Sequence, residues 1–151
     1  MICIICLGII GSIFLGDLWI KNRIEKGTAA QGEERLPGGR LLIRKYHNTG
    51  AAFNLGGRKP LVVTAVSLVL TIGISVLFVL SLGQYGNHLL RVGLSLLLGG
   101  AYSNTYDRLK RRYVVDYVSF PVKWKPFARL VFNISDFCIV IGAFCIFLSS
   151  I

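Results

Sequence analysis

An uninterrupted apolar run constrains the folding of this chain more than any other feature of its sequence. The run extends from Pro60 to Leu82 and contains no charged side chain. A helix rises 1.5 Å per residue, so this segment is long enough to cross a hydrocarbon core of about 30 Å. Of the 151 residues, 54% are hydrophobic. The chain is therefore too apolar for an ordinary soluble domain and is expected to be a membrane protein.

Three further segments have similar character, although each carries one or two polar interruptions. Residues 1–20 contain only Asp17 as a charge, residues 132–151 contain only Asp136, and the weaker segment 89–106 carries Arg91 and Asn104. The first segment could be a cleaved signal peptide, but it lacks a basic start and a clear small-x-small cleavage site, which favours a retained helix. We therefore predict a mainly α integral membrane protein with four transmembrane helices, at 1–20, 60–82, 89–106 and 132–151.

The two long connections between these segments are too polar to cross a bilayer. In the connection 22–59, the stretch Gly39–Tyr46 follows a Pro-Gly-Gly turn signal and predicts a short strand. The small residues of Asn48–Asn54 would let the backbone approach a ligand closely. The connection 107–131 is broken by two prolines. Its part Val118–Trp124 is expected to lie along the membrane interface, with Tyr117 and Trp124 as anchors.

The net charge of +10 is concentrated in these same two connections. Because no aromatic-interleaved or recognition motif accompanies the basic residues, we predict contact with phospholipid headgroups and no nucleic-acid partner. With four spans, both connections lie on one side of the membrane. The positive-inside rule would place that side in the cytoplasm.

Cysteine and histidine give no sign of a metal site or a disulfide framework. Hydrocarbon suppresses the thiolate form, so the cysteines are expected to be core or lipid-facing residues. The two histidines are far from any second candidate ligand in the sequence. We therefore predict no metal and no cofactor. The residues concerned are Cys3, Cys6, Cys138, Cys145, His47 and His88.

Two aspartates, Asp116 and Asp136, are the strongest candidates for chemistry. An acid inside a membrane helix costs about 2.5 to 3.5 kcal/mol on insertion scales, and the chain has only seven acidic residues. Neighbouring carboxyls also acquire different pKa values, as an acid and a base require. The residues alone leave alternatives open, because Asp136 could cap a helix and Asp116 could be a solvated loop acid.

Other polar residues are expected at the same membrane depth as the two aspartates. Asp17 and Lys21 have the i,i+4 spacing of a helical ion pair, which could equally be a folding contact. Asp107 and Arg108 would more often form a surface ion pair of small energetic worth, and they are assigned a supporting role. Asn104 closes the third span, and Asn133 precedes Asp136 by one helical turn.

Four ordered blocks give the sequence a close resemblance to the lipoprotein signal peptidases, the type II signal peptidases of bacteria. The blocks thread the chain from its first to its last apolar segment. They are Asp17-x-x-x-Lys21, Asn48-x-Gly50-Ala51-Ala52-Phe53, Gly99-Gly100-Ala101-x-x-Asn104-x-x-Asp107-Arg108 continuing to Val114-Val115-Asp116-Tyr117, and Phe132-Asn133-x-x-Asp136.

The resemblance implies a single membrane protease domain over residues 1–151, with a small extracytoplasmic β-rich cradle and an interfacial segment before the last helix. The family removes the signal peptide from prolipoproteins on the amino side of a diacylglyceryl-modified cysteine. Asp116 and Asp136 would be the catalytic dyad, and Arg108 would hold the loop that carries Asp116. The other matching positions would bind substrate or support the site: Asp17, Lys21, Asn48, Gly50, Asn104, Asp107 and Asn133.

The sequence departs from the family pattern at four positions: Ser103 and Arg112 stand where glycine is usual, Ser135 where alanine is usual, and Asn54 where serine is usual. Arg112 is expected to alter the turn that leads to Asp116.

The resemblance also implies a location in the bacterial cytoplasmic membrane with the site facing outward, against the charge bias. A monomer is expected, because no interface motif such as G-x-x-x-G stands out in the long spans. Two other classes of function remain as alternatives: a small transporter or proton-relay subunit that uses the acids as carriers, and a non-catalytic assembly factor that binds lipid headgroups.

Overall fold

The computed structural model of the protein describes residues 2–27, 34–35, 39–51, 55–83, 86–122 and 130–151. Within these ranges the chain forms four helices and one small antiparallel sheet. The helices are α1 (Ile2–Lys26), α2 (Pro60–Leu82), α3 (His88–Arg111) and α4 (Ile134–Ser149). The strands are β1 (Glu34–Arg35), β2 (Leu42–Asn48) and β3 (Val114–Ser119).

Helix α3 is the centre of the bundle, because it packs against α1, α2 and α4. Glycines permit the closest of these approaches. A Cβ atom on Gly100 would lie 2.5 Å from the backbone oxygen of Ser135 in α4, and one on Gly99 would lie 2.8 Å from the Cβ of Ile13 in α1. Small residues allow membrane helices to pack backbone to backbone in this way. The Gly99-Gly100 pair therefore lets both α1 and α4 approach the backbone of α3 closely.

Two helices of the described chain, α1 and α2, are long and apolar enough to cross a membrane. Most of the large side chains of α2 are exposed, including Val69 and Val79 at 68% and 63%, as a lipid-facing surface requires. Helix α4 is apolar but has only 16 residues, and α3 carries many buried polar groups. The count of four spans therefore stays a prediction.

Helices α1 and α3 are both longer than the spans predicted from the sequence. Helix α1 continues from Ile20 to Lys26, and α3 continues from Tyr106 to Arg111. The added turns are polar, and they contact each other and the sheet, as in the hydrogen bond of 2.5 Å from Arg111 Nη2 to Asn22 Oδ1. Hydropathy alone places these residues in loops, which is wrong.

The sheet has the order β1–β2–β3, and its third strand comes from the connection after α3. Asn48 pairs with Val114, and Tyr46 pairs with Asp116. The cradle is therefore not confined to residues 22–59, and Asp116 lies in a strand where a loop was expected. The strand predicted at Gly39–Tyr46 is Leu42–Asn48 in the structure.

The interfacial segment predicted at Val118–Trp124 is wrong at its start, since Val118 and Ser119 belong to β3. Trp124 lies outside the described residues. Tyr117 is no membrane anchor, because only 3% of it is exposed.

At the end of the bundle opposite the sheet, α2 stops beside a buried charge. Arg91 of α3 donates from Nε to the backbone oxygen of Ser81 at 3.1 Å. A guanidinium at a helix C-terminus compensates the partial negative charge of the last carbonyl groups.

The cysteines of the described chain are free: Cys3 is exposed, Cys6 is buried, and Cys138 and Cys145 are half-buried in α4. No group of three or more potential metal ligands occurs among the described residues.

Candidate active site

The N-terminus of α4 holds the two candidate aspartates together through one residue, Asn133. Its side-chain oxygen accepts from the backbone N–H of Asp136 at 2.9 Å, and its own backbone N–H donates to Asp136 Oδ2 at 3.0 Å. This reciprocal capping box fixes the first turn of the helix. The Asn133 amide nitrogen then donates to Asp116 Oδ1 at 2.7 Å. One asparagine therefore contacts both carboxyl groups.

Asp116 lies in strand β3, which places it beside the start of α4. Its side chain is almost completely buried, at 2% exposure. Its second oxygen, Oδ2, accepts from the amide nitrogen of Asn48 at 3.1 Å, across the pairing of β2 with β3. Burial, together with the negative charge of Asp136, raises the pKa of Asp116 to about 7. A carboxyl with this pKa can hold a proton near neutral pH, as a general acid must.

Asp136 lies in the first turn of α4 and is less buried than Asp116. Its Oδ1 accepts from the amide nitrogen of Asn104 at 2.9 Å. All four carboxyl oxygens of the pair thus accept a hydrogen bond from a described N–H group: two from side chains at Asp116, and one from a side chain and one from the backbone at Asp136.

The orientation of each of the three asparagine amides is fixed by a donor to its oxygen. Asn48 Oδ1 accepts from the backbone N–H of Gly50 at 3.0 Å, and Asn104 Oδ1 accepts from Lys21 Nζ at 2.8 Å. Asn133 Oδ1 accepts from the backbone of Asp136. The oxygen of an amide cannot face a donor and a carboxylate at once. Each NH₂ group is therefore turned toward an aspartate.

A buried ion pair lies directly behind the site. Lys21 Nζ is 2.7 Å from Asp17 Oδ2 and 3.4 Å from Asp107 Oδ2, and all three side chains are fully buried. The same ammonium orients Asn104, as described above. The predicted contact between Asp17 and Lys21 is confirmed. It is connected to Asp136 through a single side chain, Asn104.

Three hydroxyl groups that the sequence did not assign to the site complete the coordination of Asp17. Ser103 and Ser135 donate to Asp17 Oδ2 at 2.6 and 2.5 Å, and Tyr117 donates to Oδ1 at 2.7 Å. The Tyr117 hydroxyl also accepts from the backbone N–H of Ile134 at 3.2 Å. Burial, with the nearby charge of Asp17, raises the pKa of Tyr117 well above its usual value. Tyr117 thus joins β3, α1 and the start of α4.

Both serines in this cluster are positions where the sequence departs from the family pattern. The sequence alone gave them no role in the site. Their hydroxyls instead converge on one carboxylate oxygen, 86 and 118 residues away in the chain. One signal in the sequence could have indicated this role. Serine stands in place of glycine at Ser103 and in place of alanine at Ser135, so two hydroxyl groups are added where α3 and α4 meet.

Asp107 and Arg108 do not form the surface ion pair expected of adjacent charges. Asp107 is completely buried, accepts from the backbone of Val115 at 3.2 Å, and forms ion pairs with Lys21 and Arg111. Arg108 turns the other way and donates to the backbone oxygen of Gly50 at 2.9 Å. It therefore holds the segment after β2, whereas the sequence analysis expected it to hold the segment of Asp116.

The structure brings every predicted site residue of the described chain to this end of the bundle. The remainder of the second block, Ala52, Phe53 and Asn54, lies outside the described residues. The assignment of Asp116 and Asp136 as a catalytic pair, and of the others as its support, stays a prediction at this point.

Comparison with known proteins identifies the family. The profile of the signal peptidase (SPase) II family matches residues 9–151, nearly the whole chain. The chain belongs to the signal peptidase II family. A lipoprotein signal peptidase of Mesorhizobium japonicum is 36% identical over 130 residues, covering 84% of this chain and 73% of its own. One from Symbiobacterium thermophilum is 33% identical over 120 residues, covering 80% and 76%.

Solved structures of low sequence identity share the fold of this signal peptidase II chain. Two chains described as bacterial membrane enzymes superpose with TM-scores of 0.81 and 0.77, each at 24% identity. The alignments cover 96% and 97% of this chain and 86% and 92% of the solved chains. As a signal peptidase II family member with apolar helices, the protein is a membrane-bound protease.

Proposed function

We propose that the protein is an aspartic endopeptidase that removes the signal peptide from diacylglyceryl-modified prolipoproteins. It cleaves on the amino side of the lipid-modified cysteine. The observation that carries this proposal is the shared contact of Asp116 and Asp136 with Asn133, at the edge of a membrane helix bundle. Membership of the signal peptidase II family supports the substrate class.

The pair divides the roles of acid and base through one retained proton. Two close carboxyls cannot easily both ionise. The pair therefore keeps one proton at pH values at which an isolated carboxyl would already be ionised. We assign this proton mainly to Asp116, because its carboxyl is the more deeply buried of the two and because burial and the charge of Asp136 raise its pKa to about 7. Asp136, closer to the surface and at the start of a helix, serves as the base.

In the first step Asp136 removes a proton from a water molecule, and the water oxygen attacks the scissile carbonyl carbon. Asp116 donates its proton to the carbonyl oxygen, which gives a neutral tetrahedral diol. In the second step the carbon–nitrogen bond breaks. Asp136 returns its proton to the leaving nitrogen, and Asp116 recovers a proton from one hydroxyl of the diol as the new carboxyl forms. The pair ends in its starting protonation state.

The three oriented asparagines keep the two carboxyls in place during these steps. Their NH₂ groups donate to the aspartates and cannot accept from them, so they favour the ionised form of each carboxyl. Lys21 acts through Asn104 and is a positioning residue. Gly50, held by Arg108 through its backbone oxygen, lies next to Asn48 and is suited to bind the substrate backbone.

The proposal places the whole chain, residues 1–151, in one membrane domain with four transmembrane helices. The sheet and the aspartates lie at the extracytoplasmic surface of the bacterial cytoplasmic membrane, and the protein acts as a monomer. The short helix α4 begins at the aspartates, so its first turn lies at the membrane boundary. The basic surface at this end contacts lipid headgroups.

A cleavage assay tests this function. Purified protein in detergent is given a diacylglyceryl-modified precursor and, separately, the same precursor without the lipid. We expect the signal peptide to be released only from the modified precursor, and Asp116→Asn or Asp136→Asn to abolish the release. Full cleavage by either variant would overturn the dyad. A protein that cleaves neither precursor, while binding lipid or moving protons, would be an assembly factor or a transporter.

Orientation in the membrane is tested separately, with cysteines placed at opposite ends of the bundle. Arg58 precedes α2 at the sheet end, Ile151 follows α4 at the other end, and both are exposed. In a background without the native cysteines, we expect Arg58→Cys to react with an impermeant thiol reagent in intact cells and Ile151→Cys to react only after permeabilisation. The reverse pattern would establish the orientation given by the charge bias.

A further inference from the structure

A groove runs along α3 between α1 and α2, on the face of α3 that does not carry the aspartate contacts. Its volume is about 720 Å³. The wall on α2 extends from Leu68 to Leu80, and α1 contributes Ile10 to Phe14. On α3 the groove is lined by Tyr102, Thr105, Tyr106 and Leu109, whereas Asn104 and Arg108 point to the candidate active site.

Four of the five hydroxyl groups in the groove lining bond to each other in pairs. Thr71 Oγ1 lies 2.9 Å from Thr105 Oγ1, and Ser75 Oγ lies 2.7 Å from the hydroxyl of Tyr102. The rest of the lining is aliphatic or aromatic. Hydroxyls that already satisfy one another do not select a polar ligand. The lining therefore suits a hydrocarbon chain.

The length of the groove matches one leaflet of a bilayer. From Leu68 to Leu80, α2 rises about 18 Å at 1.5 Å per residue. Half of a hydrocarbon core of roughly 30 Å is about 15 Å. An acyl chain that enters at the sheet end of the helices would therefore occupy the groove over most of its length.

A positive charge lies at the sheet end of the groove. The ammonium of Lys110 donates to the hydroxyl of the groove residue Tyr106 at 3.0 Å and lies 5.4 Å from the centre of its ring. Lys110 is exposed and directly follows Leu109, the last groove residue of α3. A lysine near the membrane surface attracts an anionic headgroup by about 1 kcal/mol.

We propose that this groove is a binding site for an anionic phospholipid of the surrounding bilayer. One acyl chain fills the groove, and the phosphate binds Lys110. The site is separate from the aspartates and does not depend on the proposed protease activity.

Native mass spectrometry of the purified full-length protein tests the site, with phosphatidylglycerol and phosphatidylcholine of identical chains as probes. We expect one phosphatidylglycerol to be retained, about fivefold more strongly than phosphatidylcholine, since 1 kcal/mol corresponds to that factor. Lys110→Gln should remove this preference. Lys26→Gln, at another exposed lysine of the same end of the bundle, should leave it intact.

Substitutions that fill the groove provide the second part of the lipid-retention experiment. Gly11 lines the groove and Gly8 does not, yet a Cβ on either would meet nothing within 4 Å. We expect Gly11→Leu to reduce retention of both lipids at least about tenfold, corresponding to some 1.4 kcal/mol, and Gly8→Leu to have no effect. If Gly11→Leu does not fold, Val76→Trp in the groove and Val69→Trp outside it replace the pair, since both valines are exposed.

Several results would overturn the proposal. Equal retention of the two lipids would mean that the groove does not select charge. Unchanged retention in both groove-filling variants would place the lipid elsewhere. Displacement of the bound lipid by a diacylglyceryl-modified precursor peptide would assign the groove to the substrate, and a dimer lost in Gly11→Leu would assign it to a second copy of the chain.

Discussion

Helix α3 supports two regions of opposite character. Near the sheet end of its contacts with α1 and α4, several charged side chains are fully buried, among them Asp17, Lys21 and Asp107 at 1%, 0% and 0% exposure. Along the groove between α1 and α2, the lining is apolar apart from five hydroxyl-bearing side chains, four of which bond to each other in pairs. A Cβ added at Gly99 or Gly100 in the first region would clash, whereas one added at Gly11 in the second would meet nothing within 4 Å.

The difference indicates where this protein can tolerate change. Charges removed from water are stabilised only by their partners, so each member of the polar region depends on the others. The groove depends on apolar surface, which many side chains supply. We therefore expect the polar region to respond to single-atom changes and the groove to accept larger ones.

The largest effect is expected from Lys21→Met, which would leave Asp17 and Asp107 buried without their shared cation. Breaking a buried ion pair from one side costs about 3 to 5 kcal/mol. Lys45→Met is the matched control, because Lys45 pairs with Glu25 at 2.9 Å and both side chains are partly exposed; it should cost less than about 1 kcal/mol. Unfolding in mixed micelles followed by circular dichroism measures both values. Equal losses would contradict the distinction between the regions.

Gly100→Ala should have the next largest effect, a loss of about 1 to 3 kcal/mol. Its new methyl group would lie 2.5 Å from the backbone oxygen of Ser135 and push α4, with Asp136, away from α3. Gly11→Ala in the groove meets nothing within 4 Å and should change stability little. The unfolding temperature and the cleavage rate should both fall in Gly100→Ala, and neither should fall in Gly11→Ala. A stable and fully active Gly100→Ala would show that the contact is not tight.

Arg112→Gly is expected to stabilise the protein by about 1 kcal/mol. Arg112 ends α3 in the left-handed conformation, with φ of 70°, and no other described residue besides glycine has a positive φ. A side chain costs roughly 1 to 2 kcal/mol in this conformation, which glycine adopts freely. Lys110→Gly, two residues earlier in regular helix, should lose about 1 kcal/mol. Destabilisation by Arg112→Gly would mean that its side chain has a binding role.

The smallest expected effect is a shift of pH dependence in Asn48→Ala. The amide of Asn48 favours the ionised form of Asp116, so its loss should raise the pKa of Asp116 above the present value of about 7. The fall of kcat/KM with rising pH should then move upward by up to about one pH unit. Thr49→Ala, whose hydroxyl contacts the backbone of Gly57, should leave the profile in place. A downward shift in Asn48→Ala would reverse the assigned sign.

The same pKa has a consequence for stability. Because folding raises the pKa of Asp116 from 3.8 to about 7, its contribution to stability is fully present below pH 4. It is lost as the pH rises through 7.

The sequence predicted the helical runs and the gathering of the site residues, because charge-free segments and four ordered blocks constrain both. It did not predict the polar ends of α1 and α3. Those turns continue the helices because they contact the sheet and each other, as in the hydrogen bond between Arg111 and Asn22. Hydropathy registers only their polarity, so tertiary contacts decide their structure.

Strand β3 could have been found. Its sequence, Val114 to Ser119, is rich in β-branched and aromatic residues, which favour strands. The role of Tyr117 could not, because an aromatic residue near a membrane boundary predicts an anchor as readily as a buried donor. Only the contact with Asp17 distinguishes the two.

The central claim is that Asp116 and Asp136 act as one unit, and the double variant tests it most directly. Single-turnover cleavage of a diacylglyceryl-modified precursor is measured for Asp116→Asn, Asp136→Asn and both together. We expect each single variant to lose at least about 10³-fold in rate and the double variant to be no slower than either, since groups that act together are not additive. A double variant in which the two losses multiply, or a single variant with the wild-type rate, would contradict this account.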